Sequence, residues 1–476
     1  MQRFPLIIKD AQSTDNYVTV KTPYDGAPVA EVEKADGPAL ELALSNAENV
    51  FKSTMRHMPA YQRAEILYKV AALVSDRVEE LALTIAREGG KPLKDARVEV
   101  LRAVNTIKMS GDEALALNGE TLTMDRAAGT DKHLAFTIRE PIGPVLAISA
   151  FNHPLNLICH QVATAFAAGN TVLVKPASQT PVSCLRLVQL FYEAGLPDGV
   201  ISVTFCSGGE ADTLVRDSRI RFVTFIGGED VGWQIFKKVS PGVGIALEHG
   251  GTGTAIVTEN ADIERTVPNL ARAAFYHAGQ VCVSTQIINA HDSVFDQLIT
   301  ELRTVVDLLK TGDPTDEQTD VGPLITQRDV ERVDRWNKEA LDCGAKLVSG
   351  GAPLDNNCYQ PTILTDTTPE MNVISKEIFG PVVCVQRYSD LSETIAQMNQ
   401  SPYSFQSAIY TQDIDQALYA AREVETKAFM INESTAFRVD WMPFGGSKHS
   451  GFGTGGTRHS VYDMTEEKLI VMRPAS

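Results

Sequence analysis

The stretch NTVLVKPAS, residues 170–178, opens a pattern that repeats along the middle of the chain. A short run of β-branched residues ends in a turn, and a segment with helical spacing follows at 180–194. The same order returns twice, starting from GVISVTF (199–205) and from IRFVTFIGG (220–228). Strands that alternate with helices are typical of βαβ units, so the sequence predicts an α/β fold with a parallel sheet.

In such a sheet, ligands bind at the carboxyl ends of the strands. Two segments fall at these predicted ends, KPAS (175–178) and FIGGEDVG (225–232). The glycines of the second segment lie at a strand-to-helix turn, where a phosphate group can meet helix N–H groups. The G-x-G-x-x-G fingerprint is absent, so this motif alone does not establish a dinucleotide site.

Periodic segments on either side extend the fold. Apolar spacing predicts helices over 59–88 and 99–114. After GTGTAIV (251–257) the alternation of strands and long helices restarts, which predicts a second α/β unit. The tail EEKLIVMRP (466–474) predicts a strand that pairs with the strand before Pro141, at an edge shared between subunits.

Length and composition narrow the class of protein. The chain has 476 residues, enough for two or three packed units, and its 43 Lys and Arg against 60 Asp and Glu give a net charge of −17. This acidic balance argues against binding to nucleic acid or to an anionic membrane surface. The most apolar region, 145–168, is interrupted by FNHPLN and is too short to predict a membrane span.

Cysteine usage and the first residues favour a cytoplasmic protein. The seven cysteines are scattered, odd in number, and form no pair at zinc or redox spacing, so no metal site is predicted. The opening MQRFPLIIKD meets charge and proline too early for a signal peptide. A reducing cytoplasm is therefore the expected location.

One cysteine, Cys282 in FYHAGQVCVSTQ (275–286), differs from the others in its surroundings. A lone cysteine is most often a packed, inert side chain. The preceding AGQ is typical of a loop, however, and a loop can place a thiol in a cleft. A thiolate nucleophile also needs an electrophile, a base and a partner for the oxyanion, which other parts of the chain must supply.

Three polar residues elsewhere could serve such chemistry, and each also has a plain structural interpretation. Glu248 follows an apolar run close to two glycines; half-buried there, its carboxylate would have a raised pKa and could activate water, or it could simply be solvated. Asn152 is either a turn residue before Pro154 or an amide donor to an oxyanion. Lys175 ends a predicted strand, where it is either solvated or bound to a ribose or phosphate.

Taken together, the chain resembles the aldehyde dehydrogenase superfamily along essentially its whole length. The stretches that carry the resemblance occur in the family's order: FNHP, GNTVLVKPAS, EAGLPDGV, FIGGEDVG, LEHGG, GQVC, GPLI, QPTIL, EIFGPV and PFGGSKHSG. The resemblance implies the aldehyde dehydrogenase fold, with a Rossmann-like cofactor domain at 1–118 and 143–249 and an α/β catalytic domain at 250–460. Residues 119–142 and 461–476 would form a bridging oligomerisation hairpin and a tail strand, which build a homodimer or homotetramer.

The resemblance also implies the reaction, NAD(P)-dependent oxidation of an aldehyde to the carboxylic acid. Cys282 would attack the aldehyde carbonyl, and Asn152 with the Cys282 backbone N–H would hold the oxyanion. After hydride transfer to the nicotinamide, Glu248 would activate the water that hydrolyses the thioester. The residues at the implied cofactor contacts are Lys175, Ser178, Phe225, Gly227, Gly228, Val231, Glu377 and Phe379.

Departures from the family pattern bear on the cofactor. Ser178 stands where many NAD-preferring members have glutamate; serine removes the repulsion of a 2′-phosphate, so NAD or NADP is expected, unless serine simply caps the next helix. Gly228 replaces a usual hydroxyl residue, and Glu229 and Asp230 add negative charge, which would lower cofactor affinity. His249 replaces a common leucine and is interpreted as a packed core histidine.

Four residues match positions that face the substrate tunnel in the family: Arg102, Leu157, His160 and Arg438. Leu157 and His160 are three residues apart and share a helix face. Burying two arginines and a histidine without an anion would be costly, and an arginine pair suits a carboxylate, sulfonate, phosphonate or phosphate. A small anionic aldehyde of the sulfolactaldehyde, phosphonoacetaldehyde or succinate semialdehyde type is therefore predicted as the substrate.

A neutral substrate stays open as the alternative. Arg102 could pair with Glu99 or Asp95, and Arg438 could pair with Asp440. The arginines would then be structural, and a small neutral aldehyde such as lactaldehyde or glycolaldehyde would be oxidised.

Three further classes are disfavoured by single features. A coenzyme A acceptor in place of water is disfavoured by Glu248, since family members of that type often lack this glutamate. A non-catalytic binding or structural member is disfavoured because Cys282, Glu248 and Asn152 are all present. A cofactor-free cysteine hydrolase would need His277 as its base. This alternative would leave the presence of the EIFGPV and KPAS stretches unexplained.

Overall fold

The computed structural model describes residues 1–474, and two large sheets organise it. The first sheet has six strands and is parallel except at one edge. In spatial order its strands are Gly451–Phe452, Gly244–Glu248, Phe222–Ile226, Val145–Ile148, Val172–Lys175 and Ile201–Val203. All three strands predicted from the repeated pattern belong to this sheet.

Side chains on the six-stranded sheet alternate between two cores. On the strand Val145–Ile148, Val145 and Ala147 pack into one hydrophobic cluster, whereas Leu146 and Ile148 pack into another on the opposite face. Helices cover both clusters, as a parallel sheet requires when both of its faces are apolar. The main helices of this half are Gly37–Ser53, Ala60–Ser75, Val78–Gly89, Leu93–Ala116, Pro181–Glu193, Gly208–Val215 and Glu229–Phe236, and a continuous helical segment runs through Asn156–Ile158, Cys159–Ala163 and Thr164–Ala167.

The second large sheet has seven strands from the later half of the chain. In spatial order they are Lys346–Ser349, Thr362–Thr365, Val382–Tyr388, Thr285–His291, Gly253–Val257, Gln406–Tyr410 and Ala428–Ile431. Only the first pairing is antiparallel. Its main helices are Ile263–Phe275, Asp292–Val306, Gln327–Asp342, Leu391–Asn399 and Ile414–Glu423. This sheet is the second α/β unit that the sequence predicts.

Smaller sheets connect the ends of the chain to this framework. Leu134–Pro141 pairs antiparallel with the tail strand Thr465–Met472 and with Thr121–Leu122. The tail therefore pairs where the sequence predicts, while an edge shared between subunits stays a prediction. A further three-stranded sheet near the N-terminus consists of Gln2–Phe4, Pro28–Glu33 and Tyr17–Lys21.

Glu248 lies where the chain leaves the six-stranded sheet. The antiparallel edge strand Gly451–Phe452 pairs with it there, and Gly451 stands opposite Glu248. This edge strand comes from segment 250–460, predicted as the catalytic domain, so that segment contributes to both large sheets. The domain limits themselves stay predictions.

One helix prediction is wrong in its extent. Residues 59–88 form two helices, Ala60–Ser75 and Val78–Gly89, because Arg77 adopts non-helical angles (φ −119°, ψ 28°). The Arg77 guanidinium donates two hydrogen bonds to the Glu193 carboxylate, at 2.8 and 2.9 Å. Both helices pack into the same core, so the apolar spacing continues across the break and conceals it.

Two general features of residues 1–474 bear on function. No helix in this range has both the length and the apolar character needed to cross a membrane. Nor do three or more His, Cys, Asp or Glu side chains cluster in this range so that they could hold a metal ion.

A buried ion pair connects the long helix Leu93–Ala116 to the segment around residue 155. The Lys91 ammonium binds the Glu99 carboxylate, with both side chains at most 1% exposed. Glu99 Oε1 also accepts the backbone N–H groups of Leu155 and Asn156, at 2.9 and 3.1 Å. Charges buried this deeply tolerate the loss of a partner poorly, because the remaining charge has no solvent around it.

Glu99→Gln is expected to lower the free energy of unfolding by about 3–5 kcal/mol, since it leaves Lys91 as a buried, unpaired charge. The double variant Lys91→Met/Glu99→Gln should regain more than half of that loss, because no charge remains buried. Equilibrium unfolding in urea measures both free energies. As a control, Glu48→Gln breaks the exposed pair with Lys52 and should cost less than about 0.5 kcal/mol. A double variant less stable than Glu99→Gln alone would contradict this explanation.

Candidate active site

A cavity of about 910 Å³ opens at the carboxyl ends of the six-stranded sheet. Its walls combine these strand ends with segments from the later half of the chain. The predicted site residues that line it are Arg102, Asn152, Leu157, Lys175, Phe225, Gly227, Gly228, Val231, Glu248, Cys282, Glu377, Phe379 and Arg438. Ser178 and His160 do not line it: Ser178 is exposed to solvent, and His160 is buried.

The loop that carries Cys282 has a strained course. Three successive residues before it, His277, Ala278 and Gly279, have φ angles of 48°, 55° and 68°. Left-handed angles are costly for residues with a side chain and persist where the surroundings enforce them. A Cβ at Gly279 would lie 2.1 Å from the Gly380 carbonyl oxygen, so glycine is required there.

The Gln280 side chain fixes the same loop from within the protein. Its amide nitrogen donates to the carbonyl oxygens of His277 and Pro323, both at 3.2 Å, and its oxygen accepts from the Ile325 N–H at 2.9 Å. Because both N–H groups and the oxygen bind backbone, this side chain is structural. The loop thereby presents the half-buried Cys282 to the cavity.

The Cys282 thiol lies among groups of opposite charge. Burial raises the pKa of this thiol, the carboxylates of Glu248 and Glu377 raise it further, and the Arg438 guanidinium lowers it. The thiol is therefore protonated near neutral pH in this state. A base must remove its proton before it acts as a nucleophile.

Glu248 is the candidate base for the attack of water. Burial raises the pKa of its carboxyl group, and the nearby charge of Arg438 lowers it. A Cβ at Gly455 would lie 2.5 Å from Glu248 Oε1, so the glycine leaves the carboxylate its space. A carboxylate with a raised pKa is a stronger base and can accept a proton from water or from a thiol.

Asn152 is held by the loop that carries Cys282. Its Nδ2 donates to the Gln280 carbonyl oxygen at 2.9 Å, and its Oδ1 is buried with no partner among the described residues. An amide nitrogen carries two N–H groups, so one remains free to donate into the cavity that Asn152 lines. A free, buried N–H of this kind is what an oxyanion site requires.

Lys175 brings a cation to another part of the wall. It ends the strand Val172–Lys175, and its Nζ donates one hydrogen bond, to the Pro176 carbonyl oxygen at 3.1 Å. Burial lowers the pKa of this ammonium group. The next lining residue is Ala177, and Ser178 after it is exposed. A buried ammonium with unused donors favours a ligand with hydroxyl or phosphate oxygens.

Glu377 offers an unused acceptor. Its Oε1 is buried with no hydrogen-bond partner in the described part of the chain, and burial raises the pKa of the group to about 8. A Cβ at Gly250 would lie 1.7 Å from that oxygen, so the glycine leaves the carboxylate room in this position. Two residues on, Phe379 has a φ of 46°, and its ring packs edge-on against Phe151 with centroids 5.8 Å apart. The free oxygen suits a hydroxyl donor from a ligand.

The glycine turn after the strand Phe222–Ile226 forms a further wall. The Gly227 N–H donates to the Glu248 carbonyl oxygen at 3.0 Å, and a Cβ at Gly227 would lie 2.7 Å from the Phe225 ring. Gly228 precedes the next helix, whose exposed Val231 lines the cavity. The backbone of this turn is therefore open to close approach by a ligand.

Glu229, one of the two acidic residues beside this turn, contacts a histidine. Glu229 Oε1 lies 2.7 Å from His449 Nδ1. The buried His249 donates through Nδ1 to the His449 carbonyl oxygen at 2.9 Å, and a Cβ at Gly232 would lie 1.8 Å from its Nε2. Burial lowers the pKa of His249, so this residue is a packed, neutral histidine.

The substrate-facing arginines meet at one buried carboxylate, that of Asp440. Arg102 donates to it twice, from Nη2 at 2.8 Å and from Nε at 3.2 Å. His160 Nε2 and Asn156 Nδ2 lie 2.9 and 3.1 Å from Asp440 Oδ1. Asp440 thus collects hydrogen bonds from three side chains on two separate segments, the helix Leu93–Ala116 and residues 156–160.

The partners considered for Arg102 on its own helix are engaged elsewhere. Glu99 binds Lys91, and Asp95 lies 3.5 Å from Arg272. The pairing of Arg102 with Glu99 or Asp95 is therefore wrong. Its carboxylate comes from a segment 338 residues later in the chain, beyond the reach of any local spacing rule.

Arg438 keeps part of its hydrogen-bonding capacity. Its Nε lies 3.9 Å from Asp440 Oδ1, and its guanidinium packs over the Phe444 ring at 3.4 Å. Its Nη1 is buried with no partner among the described residues. Burial lowers the pKa of Arg438 to about 10, so it remains charged at neutral pH. A buried guanidinium with an unused donor favours an anionic ligand.

The predicted group of three basic side chains is only partly basic. Burial lowers the pKa of His160 to about 4, so its ring is neutral at neutral pH. His160 Nε2 lies 3.4 Å from Arg438 Nη2, whereas Leu157, three residues earlier, lines the cavity itself. His160 therefore contacts the arginine rather than the cavity.

Several polar residues of the wall were not predicted from the sequence, among them His153, Asn156 and Tyr276. Tyr276 Oη lies 3.4 Å from His153 Nε2, and burial lowers the pKa of His153 well below its usual value. Asn156 is the second asparagine of FNHPLN (151–156), and its place in that stretch is the signal that could have identified it. Tyr276 carries no comparable signal in the sequence.

Comparisons with known proteins identify the family. The sequence profile described as "Aldehyde dehydrogenase family" matches residues 8–470. A 3-sulfolactaldehyde dehydrogenase of Priestia aryabhattai is 38% identical over 97% of this chain and 96% of the relative.

Solved structures have the same architecture. Aldehyde dehydrogenase 21 of Physcomitrella patens, in complex with the reaction product succinate, has a TM-score of 0.96 and 34% identity, over 99% of this chain and 98% of that one. The NADP-dependent glyceraldehyde-3-phosphate dehydrogenase of Bacillus halodurans C-125, complexed with NADP, has a TM-score of 0.96 and 34% identity over 100% of both chains. The predicted resemblance and fold class are thereby confirmed, and the chain belongs to the aldehyde dehydrogenase family.

Proposed function

We propose that this NAD(P)-dependent aldehyde dehydrogenase oxidises a small anionic aldehyde to the carboxylic acid and releases the acid by hydrolysis. The observation that carries the substrate class is the buried Arg438 guanidinium, whose Nη1 has no partner within residues 1–474. Arg438 lines the cavity that Cys282 and Glu248 also line, and its charge lowers the pKa of both. An aldehyde whose anionic end binds Arg438 can therefore present its carbonyl to the thiol.

The other walls of the cavity fit NAD or NADP. The unpartnered Glu377 Oε1 suits a ribose hydroxyl, and the Lys175 ammonium suits ribose or phosphate oxygens. The exposed Ser178 carries no charge that would repel a 2′-phosphate, and a relative with a solved structure is complexed with NADP. When bound, the nicotinamide ring supplies the hydride acceptor.

Residues of the chain account for the remaining steps. Once the Cys282 thiol has given its proton to solvent water, its Sγ bonds to the aldehyde carbon, and the carbonyl oxygen becomes an oxyanion. The free Asn152 N–H and the Cys282 backbone N–H stabilise this charge. After hydride loss the acyl group is a thioester, and Glu248 accepts a proton from the water whose oxygen attacks the thioester carbon. The C–S bond then breaks, the carboxylic acid is released, and the proton passes from Glu248 to Cys282 Sγ, which regenerates the thiol.

The substrates or products named for three relatives support an anionic substrate, whereas relatives named lactaldehyde dehydrogenase support a neutral one. The substrate 3-sulfolactaldehyde carries a sulfonate, and glyceraldehyde 3-phosphate carries a phosphate. Succinate, the reaction product bound to a third relative, carries a second carboxylate. In each molecule the anionic group lies at the end opposite to the reacting carbon.

A neutral short aldehyde, such as lactaldehyde or glycolaldehyde, is the second candidate. The observation in its favour is the ion pair between Arg102 and Asp440, which occupies one of the two arginines. Arg438 is 3.9 Å from the same carboxylate, so the three side chains partly balance each other without a ligand.

The test compares kcat/KM for aldehydes of matched length: succinate semialdehyde with butanal, and 3-sulfolactaldehyde with lactaldehyde. Arg438→Ala is expected to lower kcat/KM for the anionic member of each pair about 30- to 1000-fold, which corresponds to about 2–4 kcal/mol. For the neutral members the fall should be much smaller, because they make no ionic contact with the arginine and lose only its effect on the pKa of Cys282 and Glu248.

The control is Arg303→Ala, which removes an exposed arginine bound to Asp307 and should leave all four values unchanged. Equal kcat/KM for neutral and anionic aldehydes, unaltered by Arg438→Ala, would contradict an anionic substrate. The assignment as an aldehyde dehydrogenase would survive that result.

A further inference from the structure

We infer that Asp440 restricts the substrate to aldehydes with a single negative charge, a refinement that rests on the proposed anionic substrate. The carboxylate is buried and accepts hydrogen bonds from Arg102, His160 and Asn156. Its place among these donors makes it a fixed part of the anion-binding end of the cavity.

Asp440 is ionised in this setting. Burial alone would raise the pKa of its carboxyl group, but the hydrogen bond from His160 and the charge of Arg102 hold it well below its usual range. His160, with its pKa lowered to about 4 by burial, donates as a neutral ring. Arg102 and Arg438 contribute two positive charges and Asp440 one negative charge, so this end of the cavity carries one net positive charge.

The neighbouring titratable groups add no positive charge. Glu248 and Cys282 both face Arg438, and either one contributes negative charge when it ionises. The nearby Lys91 is already paired with Glu99. One anionic charge on the substrate is therefore the most that this end of the cavity can balance.

This charge balance separates two classes of anion. A carboxylate or a sulfonate brings one charge and matches Arg438. A phosphate dianion brings two, and the second would lie unbalanced in a poorly solvated site that also holds Glu248. Burying an unpaired charge is costly, so the dianion should be a poor substrate.

The wild-type protein provides the first test, through the ratio of kcat/KM for glyceraldehyde 3-phosphate to that for 3-sulfolactaldehyde. A phosphate monoester has a second pKa near 6, so its singly charged form rises from about 1% at pH 8 to about half at pH 6. The sulfonate keeps one charge throughout, and taking the ratio cancels the titration of Glu248 and Cys282. If the singly charged form is the substrate, the ratio rises about 50-fold between pH 8 and pH 6. A ratio that stays constant or falls would overturn the inference.

The second test assigns the effect to Asp440. Asp440→Asn keeps an oxygen acceptor for Arg102 and removes the charge, so at pH 8 the same ratio should rise at least about tenfold. As a control, Asp320→Asn removes a partly exposed carboxylate bound to Lys94 and should leave the ratio unchanged. An unchanged ratio in an Asp440→Asn protein that binds reduced cofactor normally would overturn the role of Asp440. If this variant does not fold, the wild-type pH dependence still decides the charge class.

These outcomes separate the two proposals. If neutral aldehydes are oxidised as well as anionic ones, the proposed substrate class fails and this inference fails with it. If anionic aldehydes are preferred but glyceraldehyde 3-phosphate at pH 8 matches 3-sulfolactaldehyde, only the restriction to a single charge fails.

Discussion

Cys282→Ala is expected to lower kcat at least about 10⁴-fold, because the variant cannot form the covalent bond to the aldehyde carbon. In the described part of the chain no second cysteine lines the cavity, so no other thiol can take over. Cofactor affinity should stay within about threefold of wild type, since the residues proposed to bind the cofactor are unchanged. The variant would then bind its cofactor and fail to reduce it.

Initial rates of reduced-cofactor formation, together with fluorescence titration of reduced cofactor, measure both quantities. Cys343→Ala is the matched control, because Cys343 is exposed and does not line the cavity. The rates of this variant should equal those of wild type. Substantial activity in Cys282→Ala would demonstrate a non-covalent route and contradict the proposed mechanism. Loss of cofactor binding as well would assign Cys282 a structural role instead.

Glu248→Gln is expected to lower steady-state kcat about 10²- to 10³-fold while the first turnover survives, because hydride transfer precedes the hydrolysis that Glu248 assists. Rapid mixing should therefore show a burst of about one reduced cofactor per active site, followed by slow turnover. The negative charge of Glu248 raises the pKa of Cys282, so the variant should also react faster with iodoacetamide at pH 7. The burst follows from losing the base for hydrolysis, and the faster alkylation follows from losing the charge beside the thiol.

The pH dependence of this step has a definite direction. Because the pKa of Glu248 is raised, the carboxyl group is still partly protonated above its ordinary titration range. Activity should therefore fall as the pH is lowered, starting at a higher pH than a solvated glutamate would give, and Glu248→Gln should remove this limb. Loss of the burst in Glu248→Gln would instead show that the carboxylate activates the thiol. Turnover restored by coenzyme A, with an acyl-coenzyme A product, would favour the alternative acceptor.

The strands of the six-stranded sheet could be predicted from sequence for a physical reason. A parallel strand buried on both faces is apolar along its whole length, so it appears as a short β-branched run bounded by turns. The order of the strands could not be predicted in this way. Val145–Ile148 lies between Val172–Lys175 and Phe222–Ile226, and only the crossover connections decide that arrangement.

The site shows the same division between local and long-range information. The local sequence left Glu248 and Asn152 ambiguous, and the family resemblance resolved their expected roles. The pairing of Arg102 with Asp440 could not be predicted from the sequence, because local spacing favoured Glu99 as the partner. That carboxylate already binds the Lys91 ammonium and two backbone N–H groups.

The edge strand Gly451–Phe452 determines the earliest point during synthesis at which the protein can catalyse its reaction. Glu248 leaves the ribosome long before the strand that pairs with it, and Gly455, which leaves room for its carboxylate, follows later still. A nascent chain that ends before residue 451 already contains Cys282, but it lacks the strand that pairs beside Glu248. The emerging polypeptide therefore cannot turn over its substrate before residues 451–455 have been synthesised.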